Sequence, residues 1–243
     1  MIKGIYNSAA GMLTRMVQQD VIANNLANAA TPGYKKDGAF LNTMLEASLV
    51  LQKDARQNPL ILNAQRIETD MSQGGLRATG NPFDLALQGP GYFAVETPSG
   101  TMYTRAGSLT LNAEGELVTL TGYRVMGEGG AIQLPPGEFA VSDRGAISVD
   151  GVEVNQLKIA KFSESNSLVK KADGLFAARS GAIETKAPET TVSQGFVEDS
   201  NVSAIQEMVE MINMQQAYQA SARALMAQDE TLEKTVNQVG AVR

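Results

Sequence analysis

The chain has 243 residues, a net charge of −6 and a pI near 4.8, enough length for one large domain or two small ones. It contains no His, Cys or Trp. A Ser-His-Asp triad, a thiol nucleophile, an imidazole-ligated metal and a zinc finger are therefore all outside its chemistry. The acidic balance argues against a nucleic-acid or anionic-membrane partner, and no stretch approaches the ~18 apolar residues that span a bilayer. The N-terminus lacks the apolar core and small-residue cleavage site of a secretory signal peptide, and the absence of Cys suits a chain that crosses between redox compartments.

From the first residues, Ile2, Ile5, Ala9, Met12, Met16, Gln19, Ala23 and Leu26 recur at three-and-four spacing, which predicts an amphipathic helix. Leu13, Val17 and Ile22 lie off that stripe, and a helix apolar on more than one face wants more than one neighbour. Pro32 disfavours helix at Thr31, and Gly33 permits a sharp turn, so Thr31-Pro32-Gly33 is expected to stop the helix and act as an elbow. The first region is thus residues 1–35. Residues 36–80 read as an extended connector with some strand. Ala39 to Leu51 could continue as helix, Gln57-Asn58-Pro59 breaks it, and Leu60 to Met71 alternates weakly before Gly74-Gly75.

Residues 81–194 change character, with strand-like runs of a few residues recurring between turn signals. Ser108–Leu111 and Glu116–Thr119 flank the loop Asn112-Ala113-Glu114-Gly115. Phe139–Ser142 and Ala146–Val149 flank Asp143-Arg144-Gly145, and Asp150-Gly151 leads into Val152. This is an all-β domain, sandwich or barrel, whose interior is expected to take Phe83, Leu85, Leu87, Phe93, Val95, Leu109, Leu111, Leu117, Val125 and Ile147.

From 195 to 243 the helical period returns, with Ser203 and Gln206 spaced as a capping box. The stripe runs Met208, Met211, Gln215, Tyr218, Ala222, Leu225, Asp229, Leu232, Val236 and Val239, the period that keeps one face turned to a partner helix. The fold class is α+β, with long terminal helices paired in coiled-coil fashion around a central all-β domain. The residues expected at an interface between copies are Ile5, Met12, Met16 and Leu26 on the first helix. On the second they are Met208, Met211, Tyr218, Leu225, Leu232 and Val236.

The chemical motifs are weak. Ser167-Leu168-Val169-Lys170 has the Ser-x-x-Lys spacing of a penicillin-recognising hydrolase but lacks the Ser-Asp-Asn and Lys-Thr-Gly partners. Gly127-Glu128-Gly129-Gly130 lacks a dinucleotide fingerprint and reads as a turn. Of the carboxylate pairs, Asp199 favours a helix N-terminus and Glu230 can meet Lys234 at i,i+4. No cofactor, metal site or small-molecule substrate is expected, and the chain is not expected to be an enzyme. A free-standing β-sandwich adhesion module with helical arms is the rival reading from another class.

Three sets of residues carry a resemblance. Near the N-terminus they are Ser8-Ala9-Ala10-Gly11-Met12 and the run from Asp20 through Asn24-Asn25-Leu26 to Thr31-Pro32-Gly33-Tyr34-Lys35. In the middle they are Thr79 to Leu87, Gly91-Tyr92-Phe93, Tyr103-Thr104-Arg105-Ala106-Gly107-Ser108 and Gly122 to Gly127. Near the C-terminus they are Gly195-Phe196-Val197-Glu198-Asp199-Ser200-Asn201-Val202, Glu207 to Ile212 and Gln216-Ala217-Tyr218-Gln219. Together these resemble bacterial flagellar basal-body rod and hook proteins. Length and tail look most like the proximal-rod type, with the distal-rod type sharing almost every block. The connector from Met44 to Arg66, with one proline and no glycine, favours the former. The resemblance implies a structural subunit exported by the flagellar type III apparatus without a cleaved signal. It further implies helical polymerisation in the periplasm with copies of itself and other rod subunits, terminal helices inside and β domain outside.

Overall fold

The computed structural model describes residues 2–41, 65–162 and 167–240. Helix α1 spans Ile2–Ala27 and helix α2 spans Ala204–Gly240. α1 stops before Thr31-Pro32-Gly33, and α2 starts directly after Ser203, as the stop and cap signals require. The strands in chain order are β1 Asp37–Leu41, β2 Gln65–Thr69, β3 Leu76–Ala78, β4 Leu85–Gln88, β5 Tyr92–Thr97, β6 Gly100–Thr104, β7 Leu109–Leu111, β8 Leu117–Thr119, β9 Arg124–Gly127 and β10 Gly130–Ala131. They continue with β11 Phe139–Val141, β12 Ala146–Val149, β13 Val152–Gln156, β14 Ile159–Phe162, β15 Leu168–Lys170, β16 Leu175–Ala178, β17 Glu184–Lys186, β18 Thr191–Gln194 and β19 Phe196–Glu198. The class is α+β, a central β-rich region between two helices.

The chain divides into two compact units. The helical unit comprises Met1–Ala27, Asp37–Asp70 and Val202–Arg243. Within it α1 packs on α2, and β1 pairs antiparallel with β2 from Asp37↔Thr69 to Leu41↔Gln65. Ala39 to Leu41 is therefore strand rather than the start of a second helix, and the rest of that expected helix lies outside the described residues.

The inward faces of the helices differ from the apolar stripes. Among the described side chains of α1 the buried ones are Thr14, Val21, Ile22 and Asn25, while Met16 and Ala23 are exposed, a face turned by about a third of a turn from the stripe. On α2 the less exposed row is Glu207, Met211, Met214, Tyr218, Ser221, Leu225, Gln228 and Leu232. It keeps Met211, Tyr218, Leu225 and Leu232 but replaces Met208, Gln215 and Asp229 with residues one position earlier. The physical reason is polar: Asn25 and Glu207 occupy inward positions that an apolar-periodicity rule assigns to solvent.

The β-rich unit comprises Asn28–Lys36 and Met71–Asn201. Its main sheet has the order β15-β16-β6-β5-β9-β8-β7, with β10, β14 and β17 branching from it. Three further antiparallel groups, β11-β12-β13, β18-β4 and β19-β3, complete it. The hairpins follow their turn chemistry. The loop between β7 and β8 is held by Asn112, whose side-chain oxygen accepts from the N–H groups of Glu114 and Glu116. Asp150 and Gly151, with φ of 51° and 80°, link β12 to β13 as a mirror-image turn matched to strand twist. The core gathers Leu85, Leu87, Phe93, Val95, Leu109, Leu117, Val125 and Ile147, with Phe83 partly buried against it. Leu111 is a correction: it is exposed, because it ends β7, the edge strand of the sheet.

Candidate functional site

The most concentrated polar chemistry in the β-rich unit is a buried ionic junction built from three distant parts of the sequence. It begins at the elbow. Thr31 N–H donates to the Asn28 carbonyl at 3.0 Å, turning the chain beyond α1. Gly33 then adopts φ +70°, and its N–H donates to the Glu198 carbonyl of β19 at 2.7 Å. A Cβ at Gly33 would lie 2.4 Å from the Ala106 nitrogen, so both conformation and space demand glycine there. The elbow is seated against backbone, not merely a place where a helix ends.

The next two residues go inward. Tyr34 is buried, and the Lys170 ammonium stands 3.8 Å from its ring centroid while also donating to the Lys35 carbonyl at 2.6 Å. Lys35 is fully enclosed, unusual for lysine unless it is paired. Its ammonium donates to Glu198 Oε1 at 2.5 Å and to the Ser72 carbonyl at 2.6 Å. The Gly74 N–H adds a second contact to the same carboxylate oxygen at 3.1 Å.

On its other oxygen, Glu198 faces Arg105, whose Nε lies 3.1 Å from Oε2 as an ionic contact. The Arg105 Nη1 reaches across to the carbonyls of Gly89 and Gly91 at 3.0 and 2.6 Å. Lys36 N–H donates to Asn201 Oδ1 at 2.7 Å, and Asn201 Nδ2 donates to the Ser72 hydroxyl at 3.0 Å. Glu198 thus sits between two cations that also donate to backbone carbonyls, the arrangement that makes burying such charges tolerable. Removing any one partner leaves a buried charge poorly compensated.

Other singled-out residues find structural roles. Lys170 is committed to Tyr34 and Lys35, which gives it a packing function rather than the activation of Ser167. Gly127 and Gly130 bound the β9–β10 hairpin. Asp199 meets Arg77 at 3.0 Å on the surface, and Glu230 meets Lys234 at 2.7 Å, one turn apart in α2. A shallow cavity of about 450 Å³ is lined by Glu128, Arg144, Ile159, Lys186 and Thr190 among others, with the Lys186–Glu128 ion pair across it. Nearby, Tyr103 donates to Glu184 at 2.8 Å and Lys158 meets the same carboxylate at 2.9 Å. Burial, then the Glu184 hydrogen bond, pushes the Tyr103 hydroxyl well up. Burial also pushes the Glu184 carboxyl up, but hydrogen bonds from Lys158 and Tyr103 outweigh that and hold it below the ordinary carboxylate value.

Of the helix residues expected at an interface, Met12, Leu26, Met211, Tyr218, Leu225 and Leu232 are half-buried, and Met16 and Met208 are exposed at 47% and 50%. The side chains of Ile5 and Val236 lie outside the described residues. Sequence periodicity did not point to Lys35, Arg105, Glu198, Asn25 or Glu207 as buried. The available signal was their place inside the quoted blocks of resemblance.

The elbow from near one end of the chain and β19 from near the other both belong to the β-rich unit, so the two ends of the sequence meet in one folded body. Comparison with known proteins gives the class of protein. Residues 5–35 match the family described as Flagella basal body rod protein, residues 86–149 the Flagellar hook protein FlgE/F/G D1 domain, and residues 193–239 the Flagellar basal body rod FlgEFG protein C-terminal region. The flagellar basal-body rod protein FlgG of Bacillus subtilis (strain 168) is 30% identical, covering 98% of this chain and 99% of its own. FlgF of Mesorhizobium japonicum is 32% identical, covering 92% of each chain, and FlgF of Rhizobium meliloti is 32% identical over 99% of each. The chain belongs to the flagellar basal-body rod and hook protein family, and it is a structural subunit of the basal-body rod. Lys35, Arg105 and Glu198 fall one in each of the three matched segments.

Proposed function

We propose that the chain polymerises helically through its terminal helices, paired in coiled-coil fashion, and that the polymer transmits torque from motor to hook without performing a reaction. The supporting observation is the apolar surface left outside the intrachain helix contact. Leu13 and Met16 on α1, and Ile205, Met208, Val209 and Ile212 on α2, are all about half exposed or more. An apolar surface of this extent on a long helix is the mark of a partner. Copies of the chain and other rod subunits cover it at the exposed Met16 and Met208 and reach the part of the half-buried Met12, Leu26, Met211, Tyr218, Leu225 and Leu232 that the intrachain pairing leaves open, with Ile5 and Val236 belonging to the same proposed set. The helices form the inner layer and the β-rich unit the outer one.

Membership of the rod family supports export by the flagellar type III apparatus, without cleavage, to the periplasmic part of the basal body. The glycine-free connector from Met44 to Arg66 supports the proximal over the distal rod.

Met208→Asp tests this reading. Met208 is exposed in the single chain, so the substitution leaves its thermal unfolding transition in place. In the polymer the same carboxylate is buried without a partner at a cost of several kcal/mol in every subunit. The expected result is normal export, absent rod completion and no motility. Normal motility would remove the role assigned to this face.

A further inference from the structure

Asn25 lies in the last turn of α1 and is almost completely buried. Its Nδ2 donates to the Asp37 carbonyl at 2.8 Å, and its Oδ1 accepts from the Asp37 N–H at 2.9 Å. The amide thereby pairs with the first residue of β1 as a neighbouring strand would. The same Nδ2 lies 3.3 Å from Oε2 of Glu207, which is fully buried in the first turn of α2. From β2, the Thr69 hydroxyl donates to the Asp37 carboxylate at 2.7 Å. One side chain joins the end of α1, the start of α2 and the start of β1, all within the helical unit.

Among the described side chains, the rest of the inward row of α2 offers few features that single out one alignment. The inward row of α2 repeats Met211, Met214, Tyr218, Ser221 and Leu225 at near-regular spacing, and the methionines can repack after a slide. A slide of one turn would carry Asn25 about 5.4 Å from Glu207. It would break the hydrogen bond between two buried side chains, a costly loss in such a place, although Asn25 keeps its pairing with Asp37. We propose that Asn25 and Glu207 set the register of α1 against α2, acting as positioning residues that leave the terminal helices a single alignment. A buried polar position is the best-attested means of fixing register between paired helices. The inference deepens the assembly reading, because copies interlock only if each presents the same helix alignment. A distance measured within one chain tests it separately from polymerisation.

The chain has no cysteine, so Asp20→Cys and Arg223→Cys, both at exposed positions, direct spin labels to one site on each helix. The interlabel distance is measured by pulsed electron paramagnetic resonance in the full chain, in the Asn25→Leu variant and in the Asn25→Leu/Glu207→Leu double variant. Circular dichroism follows helix content. The parent is expected to give one narrow distance. Both variants are expected to give two or more, separated by about one helical turn of 5.4 Å, with helix content kept. The double variant removes both side chains of the Asn25–Glu207 pair, so neither a buried amide nor a buried carboxylate is left facing an apolar replacement, and its remaining cost is the loss of the Asn25 bonds to Asp37. One unchanged distance in the double variant overturns the proposal. So does loss of its helix content, which would make the pair a source of cohesion rather than of alignment.

Discussion

Gly33 and Glu198 show how one residue can be fixed by several constraints at once. Gly33 has a left-handed φ, a bond to the Glu198 carbonyl and no room for a Cβ beside Ala106. A β-branched residue there carries roughly 1–3 kcal/mol of backbone strain before any clash is counted. Gly33→Val is therefore expected to impair rod completion at matched expression and export, whereas Lys36→Ala, which keeps the backbone N–H that meets Asn201, is expected to leave it intact. Equal rod completion in the two strains would reduce the elbow to a plain helix stop. A pH effect belongs at the same scale. The folded Glu184 carboxyl titrates below its unfolded value, so its stabilisation is present above the unfolded pKa and lost as pH falls through the folded one. The wild-type urea midpoint should fall more steeply than that of Glu184→Gln between about pH 6 and about pH 3. Parallel curves would show that the Lys158 and Tyr103 contacts contribute nothing to acid sensitivity.

At the level of elements, the periodic and turn signals located most of the architecture. The stop after α1, the start of α2, the β7–β8 hairpin and the Asp150-Gly151 turn all follow from local backbone chemistry that sequence displays directly. Eight of the ten expected interior residues are in the core cluster, because alternation in short strands reports burial well. The helix faces were less legible. Apolar periodicity scores Asn25 and Glu207 as solvent-facing, yet both are buried, Asn25 bonded to β1 and the two bonded to each other. The elbow was readable as a turn but not as part of the β-rich unit, since its docking depends on Lys35 meeting a carboxylate 163 residues away. That docking has a protease signature. Limited digestion of the wild-type chain should spare residues 28–36 along with 71–201. In Lys35→Met, which takes one of its two cations from Glu198, the unit should lose about 3 kcal/mol and the elbow should be cut early. An elbow cleaved equally fast in both chains would mean that the junction does not hold it.

For the molecule as a whole, the two units divide the work by chemistry. The β-rich unit is closed by buried charge at Lys35, Glu198 and Arg105 and by an apolar core, so little of its interior asks for a partner. The helical unit keeps Leu13, Met16, Ile205, Met208, Val209, Ile212 and Met226 exposed along its two helices. Among the described residues no helix is long and apolar enough to cross a membrane. Cryo-microscopy of purified basal bodies, with the chain assigned from side-chain density, tests the central claim most directly. The account predicts Met16, Met208 and Ile212 buried against neighbouring subunits in an inner helical layer, with the β-rich unit outside it. Rod density in which these helices face solvent, or in which the β-rich unit lines the inner layer, would contradict it.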